Sequence, residues 1–340
     1  MRAFFPTFGE FRKLALMFVA RSFAAMLSGV IWAVAVPYLS AAVEPPVFNL
    51  RSNDVVAFVG GSDVAAAGHT GHLETLLAAK FPGARFRNFG WEGDTVFAQR
   101  RDIGFPPLSE HLKRAGVTAL FIEFGRAEAL DGKKSAPNFS AAYEKLVSEC
   151  ARQTPRIVFV TPPPFESGGE LLPDLSKRNA HLAAHANAIR ALAKQRTLPL
   201  VDLFAEFGGA AHKEPRLTDN GLQLTPRGHA LIAAGFARQL GFAELSARAG
   251  RVNADGVWSN GEFEKVRQLV IEKNKLWFNY WRPQNWAFLG GDRTSQPSSR
   301  DHRDPKVRWF PAEMEKWRPL IEEKEAEMER VAVVIRGGGR

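Results

Sequence analysis

Short apolar runs alternate with segments of helical periodicity between residues 53 and 242. The runs are bounded by glycine, proline or polar residues and cover residues 54–60, 84–89, 117–124, 156–161 and 198–203. The helical segments cover residues 72–81, 108–115, 138–152, 176–195 and 225–240. Strands that alternate with helices form parallel sheets covered on both faces. The pattern therefore predicts a three-layer α/β/α domain with a five-stranded parallel sheet.

Charge and cysteine content exclude several classes of site. The chain carries a formal net charge of +9 over 340 residues, but no run of basic residues predicts a phosphate groove, so we expect no nucleic-acid partner. The single cysteine, Cys150, excludes an intramolecular disulfide and a cysteine-rich metal site. His181 and His185 have the spacing of metal ligands, but no third ligand is evident and a solvated helical face is the alternative. We expect neither a metal nor another cofactor.

Residues 1–42 have the organisation of an export signal. A basic segment precedes an apolar stretch, residues 23–39, and Ser40-Ala41-Ala42 supplies the small residues of a cleavage site. The alternative is an uncleaved membrane anchor, because residues 14–36 approach the length of a membrane span, although Arg21 interrupts them. We expect an exported protein, periplasmic or extracellular, with no membrane contact beyond such an anchor.

Four blocks rich in glycine and polar residues accompany the carboxyl ends of the predicted strands, where parallel sheets place their sites. They are Gly60-Gly61-Ser62, residues 88–95, residues 124–128 and residues 218–223. Their order and spacing resemble the active-site blocks of the SGNH/GDSL hydrolases, and the resemblance extends over about residues 53–242. It implies a flavodoxin-like fold and a hydrolase of esters, such as acyl groups on a carbohydrate, that needs no cofactor.

The resemblance assigns roles to two residues. Ser62 takes the position of the nucleophile, at the end of a buried strand where a hydroxyl is exposed. Gly93 would donate its backbone N–H to the oxyanion that forms during acyl transfer. The alternative for Ser62 is a hydroxyl that caps the following helical turn, and the alternative for the second block is a glycine-rich turn.

Three positions depart from the family's pattern. Ala127 stands where the family has an asparagine that donates to the oxyanion, and loss of such a donor costs about 10²–10³ in rate. Asn220 and Gln223 stand where the family has the acid and the histidine of an Asp-x-x-His motif. Glutamine cannot accept the serine proton, and asparagine cannot stabilise an imidazolium. The family's usual serine mechanism should therefore give almost no catalytic activity.

Other side chains offer replacements. His229 follows Gln223 on the last predicted helix, and His69 follows Ser62 in a predicted alanine- and glycine-rich loop. Either histidine would serve as the base, and we take His229 as the candidate; the alternative for both is a solvated or capping side chain. Arg126, beside Ala127, would present a cation to the oxyanion or form a surface ion pair.

The composition changes from about residue 246. Six of the eight tryptophans lie in residues 258–317, and helices are predicted over residues 262–280 and 312–329 with a loop at 290–308. Tryptophans beside Arg282, Gln284 and Asn285 would stack on sugar rings, or they would seal this extension against the main domain. The predicted organisation is a signal peptide (1–42), an SGNH/GDSL hydrolase-like domain (50–245) and a helical, Trp-rich extension (246–340).

Three functions follow from these observations. The first is an exported hydrolase of small-molecule or glycan esters, which the retention of Ser62 and of the second block favours. The second is a non-catalytic pseudo-hydrolase that binds a glycan or an acylated ligand in the cell envelope. The third is a purely structural envelope protein. Ala127, Asn220 and Gln223 favour the second and third.

Overall fold

The computed structural model describes residues 48–132 and 136–337, which belong to one compact unit. The predicted signal peptide, residues 1–42, lies outside the described residues. The proposed boundary between domain and extension at residues 245 and 246 stays a prediction.

Five parallel strands form the sheet, each within a predicted apolar run. They are β1 (Val55–Gly60), β2 (Arg85–Asn88), β3 (Ala119–Glu123), β4 (Ile157–Thr161) and β5 (Leu200–Asp202). Their order is β2-β1-β3-β4-β5, and Phe58 of β1 is in register with Phe121 of β3. The predicted three-layer α/β/α architecture is confirmed.

Helices cover both faces of the sheet. They are α1 (Ser62–Thr70), α2 (His72–Lys80), α3 (Leu108–Arg114), α4 (Arg126–Leu130), α5 (Ala136–Ala151), α6 (Asn179–Arg196), α7 (Leu203–Glu206), α8 (Pro226–Gln239) and α9 (Ala243–Arg248). α2 and α8 contribute to one apolar core, and α3, α5 and α6 to the other. α8 begins as predicted, because the Thr225 hydroxyl accepts the Gly228 N–H at 2.8 Å.

Among these helices, α1 and the short helices α4, α7 and α9 were not predicted. α1 starts directly after β1 and ends at Thr70, so His69 lies in its last turn and not in a loop. Its alanines and glycines give no apolar periodicity, and packing of Val64 and Ala65 into the interior stabilises it instead.

The extension is helical and contains α10 (Gly261–Trp281), α11 (Trp286–Leu289), α12 (Trp309–Glu315) and α13 (Trp317–Gly337). The prediction of one helix over residues 312–329 was wrong. Pro319 has no N–H for the carbonyl of Glu315, so the chain breaks there and a second helix begins with Pro319 in its first turn. No helix among the described residues is long and apolar enough to cross a membrane.

Helix α10 covers the open edge of the sheet at β2. Lys273 Nζ donates to the Phe86 carbonyl at 3.0 Å, and Trp277 Nε1 donates to the Asn88 carbonyl at 2.8 Å. Residues four apart on a helix rise about 6 Å, and residues two apart on a strand rise about 6.6 Å, so the two donors match the two carbonyls. The extension thus supplies the hydrogen bonds that an edge strand leaves unmade.

Two tryptophans of α10 are interior residues. Trp277 and Trp281 are 5% and 6% exposed, and their rings lie 5.3 and 5.1 Å from the ring of Phe89. These two tryptophans therefore seal the extension against the main domain, because edge-to-face aromatic contacts join them to Phe89, the residue after β2.

Lys273 also forms a fully buried ion pair, with 2.7 Å between Lys273 Nζ and Glu74 Oε1. We expect Lys273→Met to lower the free energy of unfolding by about 3–5 kcal/mol, because it leaves an unpaired buried carboxylate. Lys273→Met with Glu74→Gln should recover part of this loss. Urea denaturation of the purified variants measures both effects. Equal stability of the single variant and the wild type would contradict this account of the pair.

Candidate active site

A cavity lies at the carboxyl ends of β1 and β3, where the strand order reverses. Open α/β sheets bind ligands at such a point. The cavity has a volume of about 160 Å³, and residues of all four sequence blocks line it, among them Ser62, Asp94, Arg126 and Gln223. The first three blocks directly follow strands, whereas α7 and a 3₁₀ turn separate the fourth block from β5.

Ser62 is exposed at the first turn of α1. The residue that caps this helix is Gly61, and no side chain caps it, so the capping alternative for Ser62 is wrong. The Gly93 N–H donates to Ser62 Oγ at 3.4 Å. Gly93 has φ +80°, and a Cβ there would meet no protein atom within 4 Å. The space on the Cβ side of Gly93 is therefore free of protein atoms, and the positive φ favours glycine.

The spacing of Asn88 and Gly90 has a structural cause. Asn88 Nδ2 donates to the Val64 carbonyl at 2.6 Å, and Asn88 Oδ1 accepts the Gly90 N–H at 2.8 Å. A Cβ on Gly90 would lie 2.3 Å from the Ala65 nitrogen. The second block therefore lies directly against α1, which brings Gly93 close to Ser62.

Two arginines hold the loop that carries the Gly93 N–H. Arg282 NH1 lies 2.6 Å from Glu92 Oε2, and Arg101 makes two bonds to Asp94 at 2.7 and 2.6 Å. Both guanidinium groups lie over the Trp91 ring, 3.6 and 4.0 Å from its centroid. Arg282 belongs to the extension, so the extension contributes to the geometry of the site.

Arg126 forms an ion pair, but the pair is buried. The predicted surface location was therefore wrong. The side chain is 5% exposed, and its NH1 lies 3.0 and 2.9 Å from the two carboxylate oxygens of Asp63. Burial, together with the charge of Asp63, raises the pKa of nearby Glu123 to about 8, although Arg126 opposes this. The pair joins α1 to α4 beneath Ser62.

Ala127 is exposed at the cavity and offers no side-chain donor. The next residue, Glu128, is buried and accepts the Val96 N–H at 2.8 Å and the Gly125 N–H at 2.9 Å. Burial raises the pKa of Glu128, and these two bonds oppose the rise. Glu128 thus connects the third block to Val96, the residue that follows the second block.

Two paired amides occupy the place of the acid and the histidine. Asn220 Nδ2 donates to Gln223 Oε1 at 3.0 Å. Asn220 Oδ1 accepts the backbone N–H groups of Leu222 and Gln223 at 3.0 and 2.7 Å. The loop is therefore well ordered by its own side chains. Neither amide accepts a proton near neutral pH, so the pair provides hydrogen bonds but no base.

Glu166 anchors this loop, and the sequence analysis missed it. The carboxylate accepts His212 Nε2–H at 2.7 Å, the N–H groups of Leu217 and Thr218 at 2.8 and 2.7 Å, and the Thr218 hydroxyl. Burial alone would raise the pKa of Glu166, but these hydrogen bonds lower it to about 2. A lone glutamate after three prolines gives no sequence signal of this role.

His229 is buried on α8, so the solvated alternative is wrong. It lines a separate cavity of about 50 Å³ that Asp63 and Glu123 also line. Within the described part of the chain no hydrogen bond joins it to Ser62. Burial lowers the pKa of His229 to about 4, with Asp63 opposing and Arg126 contributing. Its assignment as the base stays a prediction.

The other histidines lie elsewhere. His69 is seven residues after Ser62 on α1, which separates them by about 10 Å along the helix axis. His185 is 1% exposed, stacks on Phe139 at 4.1 Å, and its Nδ1 lies 2.9 Å from the Gly125 carbonyl oxygen. The predicted solvated face was therefore wrong for His185. Residues 48–132 and 136–337 contain no group of three or more His, Cys, Asp or Glu side chains arranged for a metal ion.

Comparison with known proteins identifies the family. The sequence profile of the GDSL-like Lipase/Acylhydrolase family matches residues 56–231. The match covers more than half of the chain, so the protein belongs to this family of ester hydrolases. No curated protein sequence matches the chain significantly.

Three solved structures are similar to this chain, and the first of them shares its fold. A gut microbial diltiazem-metabolizing enzyme superposes with a TM-score of 0.54 and 12% identity over 85% of this chain and 96% of its own. The acetylxylan esterase Axe2 from Geobacillus stearothermophilus has a TM-score of 0.41 and 19% identity over 57% and 97% of the two chains. A GDSL-like lipase from Parabacteroides merdae has 0.44 and 17% over 58% and 100%.

The Glu166 anchor generates a stability prediction. Because its pKa is lower in the folded state, Glu166 stabilises the fold above the unfolded pKa near 4.5, and this contribution is lost as pH falls towards 2. We expect Glu166→Gln to cost roughly 2–3 kcal/mol at pH 7 and to flatten the decline in stability between pH 4.5 and 2. Urea unfolding at several pH values measures this. A variant with an unchanged acid decline would refute the assignment.

Proposed function

We propose that the Ser62 cavity binds the acyl ester group of a small-molecule or carbohydrate ester without hydrolysing it rapidly. The observation that carries this proposal is the Asn220–Gln223 amide pair, bonded at 3.0 Å in the place of the acid and histidine. Neither amide can act as the base that activates a serine, which supports binding over rapid hydrolysis.

Hydrogen-bond donors surround the place that an ester carbonyl would take. The Gly93 N–H, which donates to Ser62 Oγ at 3.4 Å, is one such donor, and Gln223, whose amide carries two N–H donors, lines the cavity. An ester carbonyl is an acceptor, and donors of this kind orient it. The residues that are present are therefore sufficient to recognise the acyl group.

The charges around the cavity favour a neutral ligand. Asp63 is paired with Arg126, and Asp94 is paired with Arg101. Glu123, with its pKa raised to about 8, is mostly protonated at pH 7. An uncharged ester meets no unpaired ion in these groups, whereas a charged ligand would have to compete with existing ion pairs.

A second candidate function is ester hydrolysis with His229 as the base. The small cavity of His229 shares Asp63, Val64 and Glu123 with the Ser62 cavity. A pKa of about 4 keeps the imidazole neutral at pH 7, the form that accepts a proton. In this mechanism Ser62 Oγ would attack the acyl carbon, and its proton would pass to His229 and then to the departing alkoxide oxygen. Water would then attack the acyl–Ser62 ester, with His229 accepting the water proton and returning it to Ser62 Oγ as the carboxylic acid leaves. The mechanism requires the histidine to reach Ser62.

Restoring the missing pair tests the first proposal. We expect the wild type to resist labelling by a fluorophosphonate, and Asn220→Asp with Gln223→His to gain labelling and hydrolysis of p-nitrophenyl acetate by at least about 10²-fold. The gain follows because the loop already holds both positions in the required contact. Ser62→Ala in the restored variant is the matched control and should abolish the gain. Ser62-dependent labelling of the wild type would refute a site without a base.

The pH dependence separates the two candidates. We expect His229→Gln to leave the wild-type rate with p-nitrophenyl acetate unchanged. If His229 were the base, the wild type would show Ser62-dependent turnover whose kcat/KM falls below a pH of about 4, the pKa of this histidine, and His229→Gln would lose it. A stopped assay from pH 3 to 8 measures this profile.

We also propose export from the cytoplasm, which the basic and apolar segments of residues 1–42 support. N-terminal sequencing of the protein recovered from its native host would test cleavage after Ala42.

A further inference from the structure

An open groove lies on the extension and is separate from the Ser62 cavity. Its volume is about 570 Å³, within the range of small-molecule sites. Residues of α10, α12, α13 and the segment after α10 line it, and none of them lines the Ser62 cavity. The lining combines three aromatic side chains with three amides: Trp309, Phe310, Trp317, Asn279, Gln284 and Asn285.

The aromatic part of the groove faces solvent. Trp309 is 39% exposed, and its ring lies 4.0 Å from the ring of Phe310, which holds it in place. Leu320, also in the groove, is 46% exposed. Trp258, Trp277 and Trp281 are buried by comparison. Apolar side chains grouped at a concave surface lose contact with water when a ligand covers them.

The polar part of the groove is made of amides without protein partners. Among the described residues, the side chains of Asn279, Gln284 and Asn285 make no hydrogen bond. Each offers two N–H donors and one carbonyl acceptor. Three such groups beside an aromatic surface can bind a ligand that carries many donors and acceptors.

The charges that line the groove indicate which net charge a ligand would carry. Its charged lining residues are Glu313 and Lys316, and they form an ion pair at 2.6 Å. The groove is therefore locally neutral. Both charges are paired, so the groove offers no uncompensated charge that would attract an anion or a cation.

We propose that this groove binds a neutral oligosaccharide. A pyranose ring has an apolar C–H face, which fits an exposed indole, and a rim of hydroxyls, each both donor and acceptor, which fits free amides. The site lies beyond the function proposed for Ser62 and does not depend on it. It adds a carbohydrate-binding surface to a protein of an ester-hydrolase family.

Isothermal titration of the full-length protein with cellohexaose, xylohexaose and mannohexaose tests the groove, and hexagalacturonate serves as the anionic probe. At least one neutral hexasaccharide should bind, and Trp309→Ala should weaken its Kd by about tenfold or more. Gln284→Ala with Asn285→Ala, which alters only exposed or half-buried amides, should also weaken binding. Phe97→Ala, an exposed aromatic (44%) outside the groove, is the matched control and should bind like the wild type.

Ser62→Ala should bind these hexasaccharides with unchanged affinity, which separates this site from the ester site. Three results would overturn the proposal: no neutral hexasaccharide binds at millimolar concentration, hexagalacturonate binds more tightly than all neutral probes, or both groove variants bind as tightly as the wild type. Circular dichroism of each variant establishes that it is folded before titration.

Discussion

The rest of this structure depends on how the unpaired backbone groups at the two edges of the parallel sheet obtain hydrogen bonds. At β5, Gln239 bonds both the N–H and the carbonyl of Asp202, at 2.7 and 3.2 Å. At β2 the extension has this role, because Lys273 and Trp277 of α10 donate hydrogen bonds to two carbonyls of the strand. Because Arg282, the residue that follows this helix, holds Glu92 beside Gly93, closing the edge of the sheet also positions the loop that carries the Gly93 N–H. The extension is therefore part of the site's support.

The candidate site has two amides where the family has an acid and a histidine. The Asn220–Gln223 bond has the place of an acid–histidine bond, and Glu166 holds the loop that carries it. Both amides form hydrogen bonds, but neither accepts a proton near neutral pH. In the function proposed above, the protein recognises an ester without cleaving it rapidly, and the groove beside Trp309 is the proposed second surface, for a carbohydrate.

Sequence patterns predicted most of the elements because periodicity and capping are local. All five strands lie within the predicted runs, and Thr225 caps α8 as expected. Most errors occurred where tertiary contacts decide. α1 has no apolar stripe and is stabilised by the packing of Val64 and Ala65. The break before Pro319 is an exception with a local cause, the missing N–H of proline. The burial of His185 and His229 followed from packing that their own helices do not reveal.

The sequence by itself determined the fold class, the order of the four blocks and the residues that depart from the family at 127, 220 and 223, because these are properties of chemistry and spacing along the chain. Only the tertiary structure decided which charges pair and which cavity each side chain lines. Arg126 and Asp63 are 63 residues apart, and Lys273 lies far along the chain from Glu74. Such long-range pairs depend on how the helices meet across the sheet, and no local pattern encodes that distance.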